Sequence, residues 1–185
     1  MTKKEQAYYN LIQRALVGRK IQNVYYEELD YQNGEEYWKV SDSCHSIDMN
    51  VILELDNKEL IQIKWDNEFY CYGIGIEQLK KLDYREGIKT MAVSQNESWT
   101  ELINNSLVEI NVYWDECQSS STNYLPQSWE LKFENDKNIW VSALEIKEDS
   151  SLSYWADHLT ILFSEKEQEK YKLKKASTQH CVKMH

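Results

Sequence analysis

Hydrophobic positions recur along this chain in two periods, and the change from one to the other marks its elements. Near the N-terminus Tyr8, Leu11, Ile12, Ala15 and Leu16 follow helical spacing, one apolar stripe on a polar segment. Thr2 and Glu5 have the spacing of a capping box before it, and Gly18 is a natural stop after it. The period then falls to two. Short strands are expected at 21–26 and 37–40, either side of a polar, acidic stretch with an Asn33-Gly34 turn signal. Val51, Leu53 and Leu55 alternate, then Ile61, Ile63 and Trp65, around Asp56-Asn57-Lys58-Glu59, which predicts a hairpin. Residues 69–76 read as another strand, bent at Gly73 and Gly75, and 77–84 as a short helix.

The pattern then begins again. Ser94 and Glu97 repeat the capping spacing, and Trp99, Leu102 and Ile103 form a second stripe that ends at Asn104-Asn105. Val108, Ile110, Val112 and Trp114 alternate strictly. A Ser-rich loop over 117–128 holds the only proline, Pro126. Residues 129–133 and 139–143 make a second hairpin around another Asx-rich turn, and 159–163 a last strand. The fold class expected is therefore α+β, mainly antiparallel β meander and hairpins, with two short helices. The halves also match in text: Val24-Tyr25-Tyr26-Glu27-Glu28 against Val112-Tyr113-Trp114-Asp115-Glu116, and Leu53–Lys58 against Leu131–Asp136. An internal duplication is expected, with 1–90 and 91–165 as similar halves of one compact unit. A charged tail, 166–185, follows; its Lys and Glu extend a helix no further than Lys175, with disorder beyond.

Composition changes this picture in two ways. Tyr 13 and Trp 7 suit half-buried sheet faces, and equally suit recognition surfaces. The net charge of -10 repels a phosphate backbone and attracts a basic partner, so nucleic acid is not an expected ligand. No run approaches the about 18 apolar residues of a membrane helix. Met1-Thr2-Lys3-Lys4 leads into the first helix without an apolar signal segment. Cys44, Cys71, Cys117 and Cys181 are scattered without a C-x-x-C, which points to free thiols in a reducing cytoplasm.

The candidate chemistry is sparse. Cys44-His45 and the tail group His180, Cys181 and His185 do not give four N/S ligands at paired short spacings, so neither a metal nor a cofactor is expected. Ser43, His45 and Asp48 lie close in sequence but lack a nucleophile elbow. His45 and His158 are the credible acid-base groups, and Cys71 with His158 is a conceivable nucleophile–base pair. Gly73-Ile74-Gly75 lacks the third glycine of a dinucleotide cradle, and there is no Walker sequence. Carboxylates, in contrast, follow aromatic strand ends three times: Tyr25-Tyr26-Glu27-Glu28, Trp65-Asp66 and Tyr113-Trp114-Asp115-Glu116. A solvated acidic face is one reading of them, and paired carboxylates in an enclosed cleft, as glycoside hydrolysis requires, are another. The third is a docking surface for a basic protein, with Trp65 and Trp114 as anchors and Glu27, Glu28, Asp66, Asp115 and Glu116 as steering charges.

At its two hairpins the chain resembles the immunity proteins encoded beside bacterial polymorphic toxins. The stretches concerned are Leu53-Glu54-Leu55-Asp56-Asn57-Lys58 with Ile61-Gln62-Ile63-Lys64-Trp65, and Trp129-Glu130-Leu131-Lys132-Phe133-Glu134-Asn135 with Ile139-Trp140-Val141. The resemblance spans 51–163 and is one of style, with no defining motif. It implies a cytoplasmic, single-domain, non-enzymatic protein that binds and blocks one cognate toxin. A small enzyme or ligand-binding domain with a carboxylate- and aromatic-lined cleft is the alternative.

Overall fold

The structure is a computed structural model. It describes residues 2–32, 36–69, 73–83, 85–117, 120–147, 149, 151–153 and 157–171, with backbone alone at 116–117 and 120–123. The Asn33-Gly34 turn, Cys71, Tyr84, the side chains of Glu116 and Cys117, and the tail beyond Tyr171 lie outside the described residues.

The first helix, α1 (Lys3–Leu16), starts where the sequence places it. Thr2 accepts the Glu5 N–H, and the Glu5 carboxylate accepts the Thr2 N–H at 2.7 Å. The buried stripe is Tyr8, Tyr9, Ile12 and Leu16; Leu11 faces solvent and Tyr9 takes its place. The shift has a cause. The Tyr9 hydroxyl donates to the Ile110 carbonyl at 2.8 Å, which turns that side of the helix onto the second half of the chain.

Two antiparallel sheets share one core. In the first, β1 (Ile21–Leu29), β4 (Asn50–Leu55), β5 (Leu60–Asp66), β6 (Gly73–Leu79) and β7 (Ile88–Ala92) run in the order β6-β5-β4-β1-β7. In the second, β2 (Lys39–Ser41), β3 (Cys44–Ile47), β8 (Leu107–Cys117), β9 (Ser120–Phe133), β10 (Asn138–Ala143) and β13 (Leu159–Leu162) run in the order β2-β3-β13-β10-β9-β8. A small hairpin, β11 (Glu145–Ile146) with β12 (Leu152–Ser153), and two short helices, α2 (Glu97–Thr100) and α3 (Glu165–Lys170), complete the described elements.

The meanders β1-β4-β5-β6 and β8-β9-β10-β13 repeat each other pair by pair. Ile21 opposes Leu55 and Asn23 opposes Glu54 across a bulge; Leu107 opposes Phe133 and Glu109 opposes Lys132 across another. Their turns are alike: Leu55 N–H reaches Glu59 O, and Phe133 N–H reaches Lys137 O, each at 2.9 Å, with Lys58 and Asp136 at positive φ. The starts cross reciprocally, because Gly18 N–H bonds Leu107 O while Asn104 N–H bonds Ile21 O. Gly18 and Asn104 both take the left-handed conformation there, at φ +80 and 64. This register matches Tyr26, not Val24, with Val112.

The boundary at residue 90 does not follow the sheets. It falls inside β7, and β2 and β3, from the first half, complete the second sheet beside β13. Other differences have local reasons. Residues 77–79 continue β6 as a strand because they pair with Leu60, Ile61 and Gln62 of β5. The 117–128 segment is largely strand, since β8 and β9 form one long ladder that passes Pro126 at a register shift. Val108 is exposed because the bulge between Leu107 and Glu109 breaks the alternation. Asn96, not Ser94, caps α2. The described tail helix, α3, ends at Lys170.

The aromatic residues build the core in two groups. Tyr8, Phe69, Trp114 and Trp129 pack edge to face at one end; Phe69 and Trp114 have centroids 4.8 Å apart. Tyr26, Trp38, His45, Trp99 and Phe163 pack at the other. Buried Tyr and Trp need hydrogen-bond partners. Trp129 Nε1 donates to the Tyr8 hydroxyl, which donates to Ile74 O, and Trp99 Nε1 donates to the Tyr26 hydroxyl.

Candidate functional site

The residues expected to form an acidic, aromatic surface part company in the structure. Trp114 is core. Trp65 is half-buried on β5 opposite Ile74. Asp66 is half-buried beside it, its carboxyl pushed above the usual range by burial. Any side chain on Gly75 would collide with that carboxylate, which is why glycine stands there. Asp115 is half-buried on β8 opposite Leu125. Glu27 lies on the outer face of the first sheet and is buried. Arg85 Nη2 at 2.6 Å, Asn50 Nδ2 at 2.7 Å and Gln62 Nε2 at 2.9 Å converge on one of its oxygens, so it is internally satisfied.

Glu28 differs. It follows Val24 and Tyr26 on the inner face of β1, one residue before the strand ends. It is 3% exposed, and its Oε1 has no hydrogen-bond partner. Burial, then the negative charge of Asp48, raise its pKa to about 7, against the pull of the Tyr37 backbone N–H and Lys89. Asp48 follows β3 and His158 precedes β13, so the antiparallel pairing of Ile47 with Leu159 brings the two together. His158 Nε2 lies 2.9 Å from Asp48 Oδ1. Burial opposes a charge on His158, but the hydrogen bond and charge of Asp48 outweigh it and hold its pKa above the usual imidazole value. The same hydrogen bond holds Asp48 below the usual carboxylate range.

A cleft of about 780 Å³ opens here, lined by Tyr37, Val40, Ser46, Asp48, Glu145, Ile146, Lys147, Asp149 and His158. Tyr31 and Tyr37 stand at its rim, 56% and 47% exposed, with ring centroids 5.6 Å apart in an edge-to-face contact. The Tyr31 hydroxyl donates to Asp48 Oδ2 at 3.2 Å. Val40, in the lining, is also exposed. Sequence reasoning missed this rim. Tyr31, Tyr37, Val40, Glu145 and Asp149 carry no spacing signal, and Asp48 was marked only for its closeness to His45.

The other candidate chemistry disperses. Ser43, His45 and Asp48 do not meet: Ser43 Oγ bonds Glu167, His45 Nδ1 accepts from Tyr26 at 2.7 Å, and Asp48 holds His158. Burial lowers the His45 pKa to about 3, so it is a neutral core residue. Ser46 lines the cleft, but its hydroxyl oxygen receives the Ile146 N–H and lies 3.3 Å from Thr160 Oγ1. Burial pushes the Cys44 thiol up to about 12, which leaves it unreactive. Among the described residues no group of three or more His, Cys, Asp and Glu could hold a metal ion, and no helix is long and apolar enough to cross a membrane.

A scan against family models and searches of curated proteins and of solved structures find nothing that matches this chain.

Proposed function

We propose that this chain is a non-catalytic binding protein of the immunity type, which blocks a basic protein partner such as a toxin in the cytoplasm. The partner docks on the tyrosine-rimmed acidic cleft. One observation carries the reading: exposed Tyr31, Tyr37 and Val40 gather around carboxylates of Asp48, Glu145 and Asp149. Aromatic side chains supply large contact area at low entropy cost, and the surrounding acids steer a basic partner by long-range attraction. The net charge of -10 adds to that steering.

The test is capture from a lysate of the source cells by the immobilised full chain, beside a Tyr31→Ala/Tyr37→Ala variant with an unchanged melting curve. A basic protein retained by the parent and lost by the variant supports the reading. Equal retention by both, or no retained protein, overturns it.

A second reading, a small-ligand or enzymatic cleft, is favoured by the Asp48–His158 contact beside Glu28. The two carboxylates have pKa values moved apart by their surroundings, Glu28 up and Asp48 down, as acid–base sites require. Turnover of a small substrate by purified protein, abolished by His158→Gln, would favour it over the first.

A further inference from the structure

Glu28 holds a carboxylate oxygen that is buried and unpartnered, directly behind Asp48 and Tyr37 of the acidic cleft's lining. Such a group costs free energy, roughly 1–3 kcal/mol for a neutral orphan and more for a charged one. It is normally found only where something else completes it. Among the described residues, charged groups face it from both sheets. Lys89 of β7 stands opposite it in the ladder. Glu36 and the Tyr37 backbone lie beyond the end of β1, and Asp48 faces it from the second sheet with His158 and Tyr31 attached. Across the cleft stand Glu145, Lys147 and Asp149. Carboxylates outnumber the cations there, and the Tyr37 ring forms part of the wall.

Resting on the docking reading above, we propose that the mouth receives one arginine side chain of the partner, whose guanidinium stacks on Tyr37 and gives Glu28 Oε1 the hydrogen bond it lacks. A guanidinium suits the place better than an ammonium. It is planar, so it stacks on an aromatic ring, and its fork of donors can serve Glu28 and a second carboxylate together. Glu28 does not itself line the cleft, so seating the guanidinium requires the half-exposed Tyr37 ring to turn. The cation stabilises the ionised carboxylate, so the Glu28 proton passes to solvent as the arginine seats. Binding thus releases a proton whenever Glu28 begins protonated.

The probe is L-argininamide, followed by NMR shifts of Tyr37, Asp48 and His158 in the full chain, with uncharged L-citrullinamide as control. With Glu28 titrating near 7, the competent fraction rises about tenfold between pH 6 and pH 8, and affinity rises with it. His158, whose pKa is also raised, adds to the trend as it loses its proton, so Glu28→Gln isolates the first contribution. This variant should melt no lower than the parent and lose about that factor. Tyr37→Leu, which leaves every carboxylate in place, should weaken the probe at both pH values. The inference is overturned if argininamide leaves the three residues unshifted, if citrullinamide binds as well, or if Glu28→Gln keeps the full pH dependence. If the probe fails while tyrosine-dependent capture succeeds, the partner covers the mouth without filling it. In that case this inference falls and the docking reading stands.

Discussion

His158 Nε2 and Asp48 Oδ1 lie 2.9 Å apart, joined only because β3 and β13 pair in the second sheet. The histidine pKa is raised from 6.5, so the stability it contributes is full below that value and is lost as pH rises through the raised one. The Asp48 pKa is lowered from 3.8, so its contribution is present above 3.8 and is lost as pH falls through the lowered value. The pair therefore works from mildly acidic to neutral pH. Asp48→Asn should move the His158 titration downward, read by NMR of the ring protons. It should also destabilise the protein more at pH 6 than at pH 9. An unmoved His158 titration would show that the contact is not formed in solution.

His45 predicts acid sensitivity of a different origin. Its pKa falls from 6.5 to about 3 in the fold, so the unfolded chain binds a proton that the native one refuses. Its contribution to stability is whole above 6.5 and shrinks as pH drops, by about 1.4 kcal/mol per pH unit, until the folded pKa is reached. Glu28 works in the opposite sense between 4.5 and about 7, so the wild type alone hides the effect. The comparison is with His45→Asn, whose amide oxygen can still accept from the Tyr26 hydroxyl. The stability gap between the two proteins, measured by urea unfolding, should narrow by about that slope from pH 6 to pH 5. A constant gap would contradict the buried neutral ring.

Trp114 tests the assignment of the aromatics to the core. It packs on Tyr8 and Phe69 with ring centroids 5.7 and 4.8 Å away. Trp114→Ala should cost about 3–5 kcal/mol, a collapsed melt in calorimetry. A melt unchanged from the parent would return Trp114 to the surface.

Gly75 and Asp66 form a close-packed pair across β5 and β6. Gly75→Ala should destabilise by about 1–3 kcal/mol through overpacking. Asp66→Ala in the same chain should recover much of that loss, a coupling that a double-mutant cycle measures. Simple additivity would mean that the collision is relieved in some other way.

The hairpins were legible because their information is local. Alternation at Val51, Leu53, Leu55 and at Ile61, Ile63, with an Asx turn between, specifies both strands and the turn. So does the capping box of α1. Strands β3 and β7 were harder. Each is short and draws its stability from a partner far away in sequence, β13 for β3 and the end of β1 for β7, whereas β2 pairs with the neighbouring Cys44 and His45. The long β8–β9 ladder was masked by a serine-rich, proline-bearing stretch that tertiary pairing overrides.

By itself the sequence determined an antiparallel α+β chain, its two Asx-turn hairpins, its acidity and its lack of a legible catalytic motif. Periodicity, capping and net charge are local or additive properties, and they survive without knowledge of contacts. Which acids and aromatics reach solvent was decided only by the tertiary structure. Glu27 and Glu28 are neighbours in the text, yet a strand sends them to opposite faces. One meets Arg85, Asn50 and Gln62, and the other meets Asp48 behind the lining of the cleft. Trp65 and Trp114 were drawn inward because burying large apolar area is worth more than exposing it. Tyr31 and Tyr37 were left at the rim because they lie beyond the end of β1 and nothing else in the described chain covers them.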